Sequence, residues 1–343
     1  MKQPVVHVVA AGEIGGAERM LIDLARPRTG TERTHSVALL SPNDRLRALL
    51  LGAGLDVDDR GPSREGPLPY LASSLGPGDV RWLSELLERR GARIVQLHTF
   101  ASQVLGTRAA RRVGARVVRT EHSTRVYDDP SCWPFSRWSL RRADAVVCIS
   151  EHVRAVALAR ATFLGRGAGP PVSVVPNGVD TDRFAPPLDE PRLPSGGRVR
   201  FVAVGRLDPR KGLDLALAAL ARVPLAELEI VGDGDQREEL VAFAERAGVA
   251  ARVRFSGYTD DVRGAIARAD VALSSAREEG LGIALLEAMA MARPVVAVPV
   301  GGLREIVSDG DNGWLAAERE ADALARAMQE AVDHPDERAR RGA

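Results

Sequence analysis

The chain has 343 residues, of which 45% are hydrophobic, so it can bury a large core and form two domains. Its 47 basic and 46 acidic residues give a net charge of +1, a balance that argues against nucleic acid as a partner. No apolar run approaches the roughly 18 residues that cross a membrane and no signal peptide is recognisable, so we expect a cytoplasmic protein. Cys132 and Cys148 are too few for a disulfide framework or a metal cluster.

The first half of the chain alternates short apolar runs with helix-length amphipathic segments. The runs "VVHVVA", "HSVALL" and "RIVQLH" are predicted strands, and helices follow them from about Ala17, Asp44 and Ala101. The runs "ARVVRT", "DAVVCIS" and "VSVVP" continue the series. Apolar strands separated by helices are typical of a parallel sheet covered on both faces. The pattern therefore predicts an α/β doubly wound domain over residues 1–181.

The alternation stops over residues 182–198, which are rich in proline and glycine and are predicted to be a linker. It restarts with "VRFVAVG", "AELEIVG", "RVRFSG", "DVALSS" and "PVVAVPV", which predicts a second Rossmann-like domain over 199–343 with a last helix near Arg319. Ligands of open parallel sheets bind at the carboxyl ends of the strands. We therefore expect the active site in the crevice between the two domains.

Glycine or histidine follows three of the predicted strands in the first domain. Gly15 and Gly16 precede a helix, where a backbone without side chains can approach a phosphate at the helix N-terminus; a tight turn would use the same residues. His98 and His122 each end a strand. His122 is the better functional candidate because the polar stretch "STRVYDDPS" follows it and could cover a site, although a structural role is the alternative for both histidines.

Lysine is rare in this chain, since only Lys2 and Lys211 occur among the 47 basic residues. The stretch "VAVGRLDPRKGLDLAL" places Arg206 and Lys211 between a strand and a helix. Two cations beside a helix start could clamp a diphosphate and stabilise it as it departs. Two solvated surface cations are the alternative.

Two carboxylates flank a helix start in "EEGLGIALLEAMA". The loop becomes a helix at about Leu281, so the N–H groups of Gly282 and Ile283 could hold phosphate oxygens. Glu287 interrupts an apolar surface and could accept two ribose hydroxyls. Glu279 could complement the helix N-terminus or accept sugar hydroxyls. The spacing therefore favours two ends of one elongated ligand.

Taken together, these motifs resemble those of the family 4 retaining glycosyltransferases of GT-B fold. The matching stretches run in order along almost the whole chain: "GGAER", "VVPNGVD", "GRLDPRKG", "VGDGD", "EEGLGIALLEAMAMARPVVA" and "GGLREIVSDGDNGWL". The resemblance implies transfer of a hexose-type sugar from a nucleotide-sugar donor to an acceptor hydroxyl during polysaccharide, glycolipid or natural-product biosynthesis. UDP-sugars are favoured and GDP-sugars are the alternative. It implies no metal and no other cofactor.

Several roles that the resemblance implies concern the donor diphosphate. Arg206 and Lys211 would bind it and stabilise the leaving group. Gly282 and Ile283 would donate backbone N–H groups to its oxygens, and Gly16 would approach it from the first domain.

The remaining implied roles concern the sugar, the ribose and the base. Glu279 and His122 would contact the transferred sugar, and Glu287 would bind the ribose. Tyr258 would make a backbone contact to the base. The implied catalytic residues are therefore His122, Arg206, Lys211 and Glu279.

Two other functions stay open from the sequence: a UDP-sugar 2-epimerase of GT-B fold and a non-catalytic sugar-nucleotide-binding module. The final crossover helix of the fold is expected to be missing or short, because the chain ends at "DERARRGA". Residues 127–142 mix aromatic and basic side chains, which is compatible with a lipid-linked acceptor or with contact to the inner membrane face. An ordinary helix with Trp133 and Trp138 half-buried is the favoured alternative. The sequence indicates no oligomeric state.

Overall fold

The computed structural model describes residues 3–10, 14–25, 33–41, 43–60, 76–164, 169–186 and 197–343. The chain divides into two compact units, Met1–Pro176 and Asn177–Ala343, and each is described by itself. Within the predicted linker 182–198, residues 187–196 lie outside the described residues. Phe184 is buried in the core of the C-terminal unit.

The N-terminal unit contains a seven-stranded sheet whose strands all pair in parallel, in the order β3-β2-β1-β4-β5-β6-β7. Its strands are β1 (Gln3–Val9), β2 (Arg33–Leu39), β3 (Asp56–Asp59), β4 (Ile94–Leu97), β5 (Arg116–Glu121), β6 (Ala145–Cys148) and β7 (Val172–Val174). Its helices are α1 (Gly16–Ala25), α2 (Asp44–Gly52), α3 (Pro77–Arg89), α4 (Phe100–Arg112), α5 (Arg125–Asp128), α6 (Trp133–Leu140) and α7 (Glu151–Arg160).

The C-terminal unit contains a six-stranded parallel sheet in the order β10-β9-β8-β11-β12-β13. Its strands are β8 (Val199–Val204), β9 (Ala226–Val231), β10 (Val253–Gly257), β11 (Val271–Ser274), β12 (Val295–Ala297) and β13 (Gly313–Leu315). Its α-helices are α8 (Leu213–Leu220), α9 (Arg237–Arg246), α10 (Arg263–Arg268), α11 (Ile283–Ala290), α12 (Leu303–Ile306), α13 (Ala321–Asp333) and α14 (Pro335–Gly342), and 3₁₀ turns cover Pro209–Lys211 and Ala250–Arg252.

The prediction of two doubly wound α/β domains is confirmed. Apolar residues explain this architecture, because the central strands are buried on both faces: Val5, Val6, Val8 and Val9 of β1 are each at most 3% exposed. Helix α13 adds an apolar stripe at helical spacing and packs against α8. Burying its Leu324 alone contributes about 2 kcal/mol to stability.

Among the elements that the sequence patterns missed are the strands β3 and β13 and the helices α3 and α14. Strands β3 and β13 are both edge strands, of four and three residues, and β3 is the acidic stretch Asp56–Asp59. The C-terminal stretch also forms helix α14, whose Arg341 donates to the Gly313 carbonyl oxygen at 2.8 Å. The helix predicted from Leu281 begins two residues later, at Ile283.

Each sheet reverses its strand order once. In the N-terminal unit the reversal lies between the neighbouring strands β1 and β4, and in the C-terminal unit it lies between β8 and β11. The loops that leave such a strand pair run in opposite directions, which opens a cleft at the carboxyl ends of the two strands. These two positions are therefore where candidate site residues are expected.

Candidate functional site

The C-terminal unit places three of the predicted catalytic residues around its strand-order reversal. Arg206 and Lys211 follow β8, and Glu279 follows the neighbouring strand β11. The sequence separates Lys211 from Glu279 by 68 positions, yet their side chains meet. The parallel pairing of β8 with β11 brings the two loops to the same edge of the sheet.

A close backbone contact holds these two loops together at Gly212. This residue has φ 57° and ψ 33°, a left-handed conformation that favours glycine. A Cβ atom at this position would lie 2.3 Å from the Ser275 carbonyl oxygen, so no side chain fits. The Ser275 hydroxyl donates to the Lys211 carbonyl oxygen at 3.1 Å. Gly212 therefore lets the turn after β8 rest directly on the loop after β11.

Lys211 and Glu279 form an ion pair, with 2.6 Å between Nζ and Oε2. The lysine side chain passes over Gly205, where a Cβ atom would lie 3.2 Å from its Cε. The side chains are 32% and 18% exposed, so solvent or a ligand can reach the pair. An exposed pair of this kind contributes little to stability, about 0–1 kcal/mol. Its ammonium group is consequently available to an incoming anion at small cost.

A second ion pair fixes the start of the β11 loop. The Arg277 guanidinium donates to both carboxylate oxygens of Asp214, at 2.8 and 2.6 Å, and to the Pro209 carbonyl oxygen at 2.9 Å. The hydrogen bond from Arg277 lowers the pKa of Asp214, and that of Asp214 raises the pKa of Arg277. The Arg277 amide also donates to the Arg210 carbonyl oxygen at 2.6 Å. The bidentate contact between Arg277 and Asp214 anchors the loop that carries Glu279.

Asp208 orients Arg206 and the neighbouring Arg210. Its carboxylate accepts from Nε of Arg206 at 3.0 Å and from the guanidinium of Arg210 at 2.5 Å. Burial raises the pKa of Asp208, but hydrogen bonds and charges from Arg210 and Arg206 outweigh this effect and lower it overall. Asp208 also caps the 3₁₀ turn by accepting from the Arg210 amide at 3.0 Å. The carboxylate thus stays ionised and holds Arg206 in place.

Helix α11 begins beside Glu279. Its N-cap Gly282 has φ 103°, and a Cβ atom there would lie 2.7 Å from Leu303 Cδ2 and 3.8 Å from Glu279 Cγ. The first N–H groups of a helix have no acceptor within the helix and carry partial positive charge. Glu287 is buried, at 7% exposed, and lies four residues after Ile283, on the same face of the helix.

Tyr258 lies on the loop after β10, two strands from β8. Its hydroxyl donates to Asp260 at 3.0 Å. Backbone hydrogen bonds join the intervening loops, since Gly205 donates to the Val231 carbonyl oxygen at 3.0 Å and Gly232 donates to that of Gly257 at 2.8 Å. The C-terminal unit therefore assembles seven of the predicted residues along one edge of its sheet: Arg206, Lys211, Tyr258, Glu279, Gly282, Ile283 and Glu287.

The N-terminal unit contains the other two predicted residues. Gly16 is the first residue of α1, which follows β1, and the Gly15 amide donates to Glu18 Oε2 at 2.8 Å. His122 follows β5, and its Nε2 lies 3.1 Å from Nδ1 of His98. Burial lowers the pKa of His122 to about 4, so its ring is neutral near pH 7. Its Nδ1 is buried and has no hydrogen-bond partner among the described residues.

Sequence reasoning missed the carboxylates that hold the cations and two further histidines. Asp208 and Asp214 lie within the stretch "GRLDPRKGLD", where acidic residues close to the cations are the signal. His7 and His35 lie inside the strands β1 and β2, and their signal is a histidine in each of two apolar runs. Without the strand order, neither histidine could be linked to His122.

The described residues contain neither a metal-binding cluster nor a membrane-spanning helix. Within the described ranges, no group of three or more His, Cys, Asp or Glu side chains is arranged to hold a metal ion. None of the helices there is long and apolar enough to cross a membrane. In α6, Trp133 and Trp138 are half-buried, and the guanidinium of Arg142 lies 4.3 Å from the ring centre of Trp138.

Both units match family models of known enzymes. Residues 14–183 match the model described as Glycosyltransferase Family 4, and residues 188–343 match the model described as Glycosyl transferases group 1. The chain is 30% identical over 292 residues to the putative glycosyltransferase EpsD of Bacillus subtilis (strain 168), a match that covers 78% of this chain and 76% of that protein.

Two further similarities extend these matches. The chain is 37% identical over 251 residues to the GDP-mannose-dependent alpha-(1-6)-phosphatidylinositol monomannoside mannosyltransferase of Mycolicibacterium smegmatis. That match covers 66% of this chain and 63% of the relative, less than two thirds of its length. The crystal structure of Anabaena HepE in complex with UDP-glucose is similar with a TM-score of 0.83, at 24% identity, over 99% of this chain and 92% of that one. This last similarity concerns the fold.

Proposed function

Since the chain belongs to the family 4, group 1 glycosyltransferases, we propose that it transfers a hexose from a nucleoside diphosphate sugar to an acceptor hydroxyl with retention of configuration. The observation that carries this proposal is the Lys211–Glu279 pair beside the N-terminus of α11. It combines a cation for the diphosphate with a carboxylate for sugar hydroxyls. Both lie at the strand-order reversal where ligands of such sheets bind.

The proposed reaction leaves a negative charge on the departing nucleoside diphosphate. Lys211 would meet this charge with its ammonium group, and Arg206 with its guanidinium. The N–H groups of Gly282 and Ile283 would bind the phosphate oxygens. Fixed donors aimed at developing charge commonly supply the largest part of catalysis. Because Asp208 already holds Arg206, this guanidinium needs little reorganisation when the donor binds.

Binding of the donor would also release Glu279 from its ion pair with Lys211. When a phosphate takes over Lys211, the carboxylate of Glu279 becomes an acceptor for sugar hydroxyls. Such an exchange couples diphosphate binding to sugar binding. His122 remains the candidate for contacting the transferred sugar, and Gly16 the candidate for a second backbone contact to the diphosphate.

The nucleoside would be bound through its ribose and its base. Glu287, one helical turn from Ile283, would accept two ribose hydroxyls, and Tyr258 would offer backbone groups to the base. We favour a UDP-sugar over a GDP-sugar. The mannosyltransferase relative is named for GDP-mannose, which makes GDP-sugars the first alternative to measure. The acceptor would be a hydroxyl group, with lipid-linked hydroxyls among the candidates.

A thermal-shift screen with UDP, GDP, ADP and their sugars tests the donor class directly. A ligand that binds only the native state raises its stability by about 2.7 kcal/mol at a concentration of 100 Kd. We expect one nucleoside diphosphate to raise the melting temperature more than the others. Absence of any shift at millimolar concentration, in protein that unfolds cooperatively, would contradict the proposal.

Substitutions then locate the binding site. We expect Lys211→Ala and Glu287→Ala to weaken binding of the same nucleotide, because each removes a proposed diphosphate or ribose contact. Arg222→Ala is the matched control, since Arg222 is an exposed cation of the same unit that pairs with Asp322. Unchanged titrations in both of the first two variants would exclude this site.

Turnover separates the sugar contact from nucleotide binding. We expect His122→Ala to lower turnover more than donor affinity, because the proposed contact lies at the sugar. Product analysis by NMR would check retention at the anomeric carbon. If the enzyme converted a UDP-sugar into its 2-epimer without any acceptor, the epimerase alternative would replace the transferase.

A further inference from the structure

Four of the protein's six histidines lie in a row in which each ring is within hydrogen-bonding distance of the next. We call this row the histidine chain; its members, in order, are His35, His7, His98 and His122. His35 Nδ1 lies 2.8 Å from His7 Nε2, His7 Nδ1 lies 2.9 Å from His98 Nε2, and His98 Nδ1 lies 3.1 Å from His122 Nε2. All three distances are those of hydrogen bonds. The histidine chain therefore connects the candidate sugar residue His122 to three residues that touch no proposed substrate group.

The strand order of the N-terminal sheet builds the histidine chain. His35 lies in β2, His7 lies in β1, and His98 and His122 directly follow β4 and β5. These are four consecutive strands of the sheet. His7 and His98 are buried, whereas the two ends, His35 and His122, are partly exposed. The rings thus cross half of the sheet from a solvent-facing end to the candidate site.

The three contacts have the same polarity. Going from His35 to His122, each contact joins Nδ1 of one ring to Nε2 of the next ring. A contact between two ring nitrogens is a hydrogen bond only when one of them carries a hydrogen and the other a lone pair. Each contact therefore holds one hydrogen.

Counting hydrogens links the two ends. Four neutral rings carry four hydrogens, and the three contacts use three of them. The fourth hydrogen lies either on His122 Nδ1 or on His35 Nε2, and the other of these two atoms keeps a lone pair. Because the polarity is uniform, all four rings share one tautomer: all carry the hydrogen on Nε2, or all carry it on Nδ1.

The environment keeps the rings neutral, so this count applies near pH 7. Burial lowers the pKa of His7 to about 3 and that of His122 to about 4. Burial, followed by the charges of its two neighbours, lowers the pKa of His98 well below its ordinary value. Burial and the nearby charge of Arg33 also lower the pKa of His35.

We propose that His98, His7 and His35 are positioning residues that fix the tautomer of His122, so that its Nδ1 presents one defined hydrogen-bonding role to a substrate hydroxyl. Two observations carry the proposal: the unbroken polarity of the contacts and the buried His122 Nδ1, which has no partner among the described residues. The tautomer of a histidine is set by the hydrogen bond that its other ring nitrogen makes. The proposal rests on the proposed function, because it takes His122 as a sugar contact.

The ligand chemistry follows from the uncharged chain. A neutral imidazole nitrogen donates or accepts a single hydrogen bond, which suits a hydroxyl of the sugar or of the acceptor rather than a phosphate. A fixed tautomer spares His122 the choice between donor and acceptor when substrate binds. Removing that choice is a form of preorganisation, which lowers the reorganisation needed in the reaction.

Nitrogen-15 NMR of histidine-labelled protein tests the histidine chain without any substrate. We expect the four rings to show one common tautomer at pH 7.5. His152 and His334, which do not belong to the histidine chain, serve as references. In the variant His98→Gln the glutamine amide can either donate to or accept from His122 Nε2. The hydrogen bond to His122 therefore persists, while the link to His7 is lost. We expect His122 to show both tautomers in that variant. Opposite tautomers among the four rings of the unsubstituted protein would overturn the proposal.

Kinetics show whether the fixed tautomer matters for transfer. We expect His98→Gln to lower kcat about tenfold, the equivalent of one hydrogen bond, and to change the donor KM by less than about twofold. His152→Gln, in the same unit but outside the histidine chain, is the control and should retain full turnover. A common tautomer with unchanged kcat in His98→Gln would overturn the positioning role.

The two levels of inference fail in different ways. If nucleotide titrations and transfer assays give no activity while the four rings share one tautomer, the proposed function fails and the chain geometry stands. If transfer is observed but the rings show mixed tautomers, the proposed function stands and this inference fails. If His122→Ala leaves kcat unchanged, the positioning role fails as well, because His122 then contacts no reacting group.

Discussion

The two units use the same position of the same fold in opposite electrostatic ways. At the strand-order reversal of the C-terminal unit, Lys211 and Glu279 form a partly exposed ion pair. At the corresponding reversal of the N-terminal unit, between β1 and β4, His7 and His98 are buried, and burial lowers the pKa of both rings. One region is a set of charges and the other is a set of neutral hydrogen-bonding groups.

The topology therefore provides the location of each region, and the side chains provide its chemistry. Parallel strands with one reversal create a cleft in either unit. Partly exposed cations next to a helix N-terminus suit a diphosphate. Buried neutral rings suit an uncharged hydroxyl. A nucleotide sugar contains both kinds of group, and the proposed function assigns its diphosphate to the charged region and a sugar hydroxyl to His122 at the end of the neutral one.

The largest effect should come from removing the cation of the C-terminal region. We expect Lys211→Ala to lower kcat/KM by about 10² to 10³, or roughly 3–4 kcal/mol, because the proposed donor to the departing diphosphate is lost. Arg222→Ala should change kcat/KM by less than about twofold, since its pair with Asp322 is exposed. Equal kinetics in the two variants would show that charge at the β8–β11 edge does not drive the reaction.

A backbone change should disturb the C-terminal region next most strongly. Gly212→Ala adds a Cβ atom 2.3 Å from the Ser275 carbonyl oxygen and forces alanine into φ 57°. The left-handed conformation alone costs about 1–2 kcal/mol, and the clash adds to it. We expect faster hydrogen exchange in β8 and β11. Gly178→Ala is the control, because a Cβ atom there meets no atom within 4 Å; similar exchange in both variants would contradict the packing described for Gly212.

The N-terminal region should respond to acid. Folding keeps His7 neutral and lowers its pKa to about 3, whereas the unfolded chain binds a proton near pH 6.5. The unfolded state therefore binds more protons below pH 6.5, so stability is full above that pH and falls as the pH drops toward 3. The slope is about 1.4 kcal/mol per pH unit for each such histidine.

The acid response can be read in the N-terminal unit alone. Three of the four tryptophans, Trp82, Trp133 and Trp138, lie in that unit, so a Trp314→Phe variant confines the fluorescence signal to it. We expect the urea concentration at the unfolding midpoint of this variant to decrease as the pH is lowered from 6.5 to 5. A constant midpoint over that interval would mean that the buried rings do not resist protonation.

The repeated α/β architecture was predictable from the sequence, and the residues of the charged region stand out in the sequence more clearly than those of the neutral one. Lys211 and Glu279 were identifiable because a rare lysine and two spaced carboxylates interrupt apolar surroundings. Their 2.6 Å contact was not predictable, since it depends on β11 pairing with β8 across the reversal. Strand β3 escaped detection because three of its four residues are aspartate, and β13 escaped detection because it has only three residues.

The histidine chain shows the limit of sequence reasoning more sharply. His7 and His35 are 28 positions apart, and His98 follows 63 positions after His35. Local periodicity places each on its own strand but gives no information on which strands are neighbours. The order β2-β1-β4-β5 alone turns four separate histidines into one connected set.

The smallest effect should come from the carboxylate that anchors the charged loop without contacting the donor. Asp214→Asn removes the charge that the Arg277 guanidinium binds at 2.6 and 2.8 Å but retains a hydrogen-bond acceptor of the same shape. The two side chains are 37% and 40% exposed, so the pair contributes only about 0.2–1 kcal/mol. The loop that begins at Arg277 carries Glu279 toward Lys211, and we therefore expect donor affinity to fall about twofold to threefold at low salt. The difference from the unsubstituted protein should shrink in 0.5 M salt, where charges are screened beyond a few ångströms. Titration of the nucleotide at both salt concentrations measures this. A tenfold loss of donor affinity that persists in high salt would show that Asp214 acts through local packing. Charge would then be less important in the C-terminal region than the comparison with the neutral N-terminal region indicates.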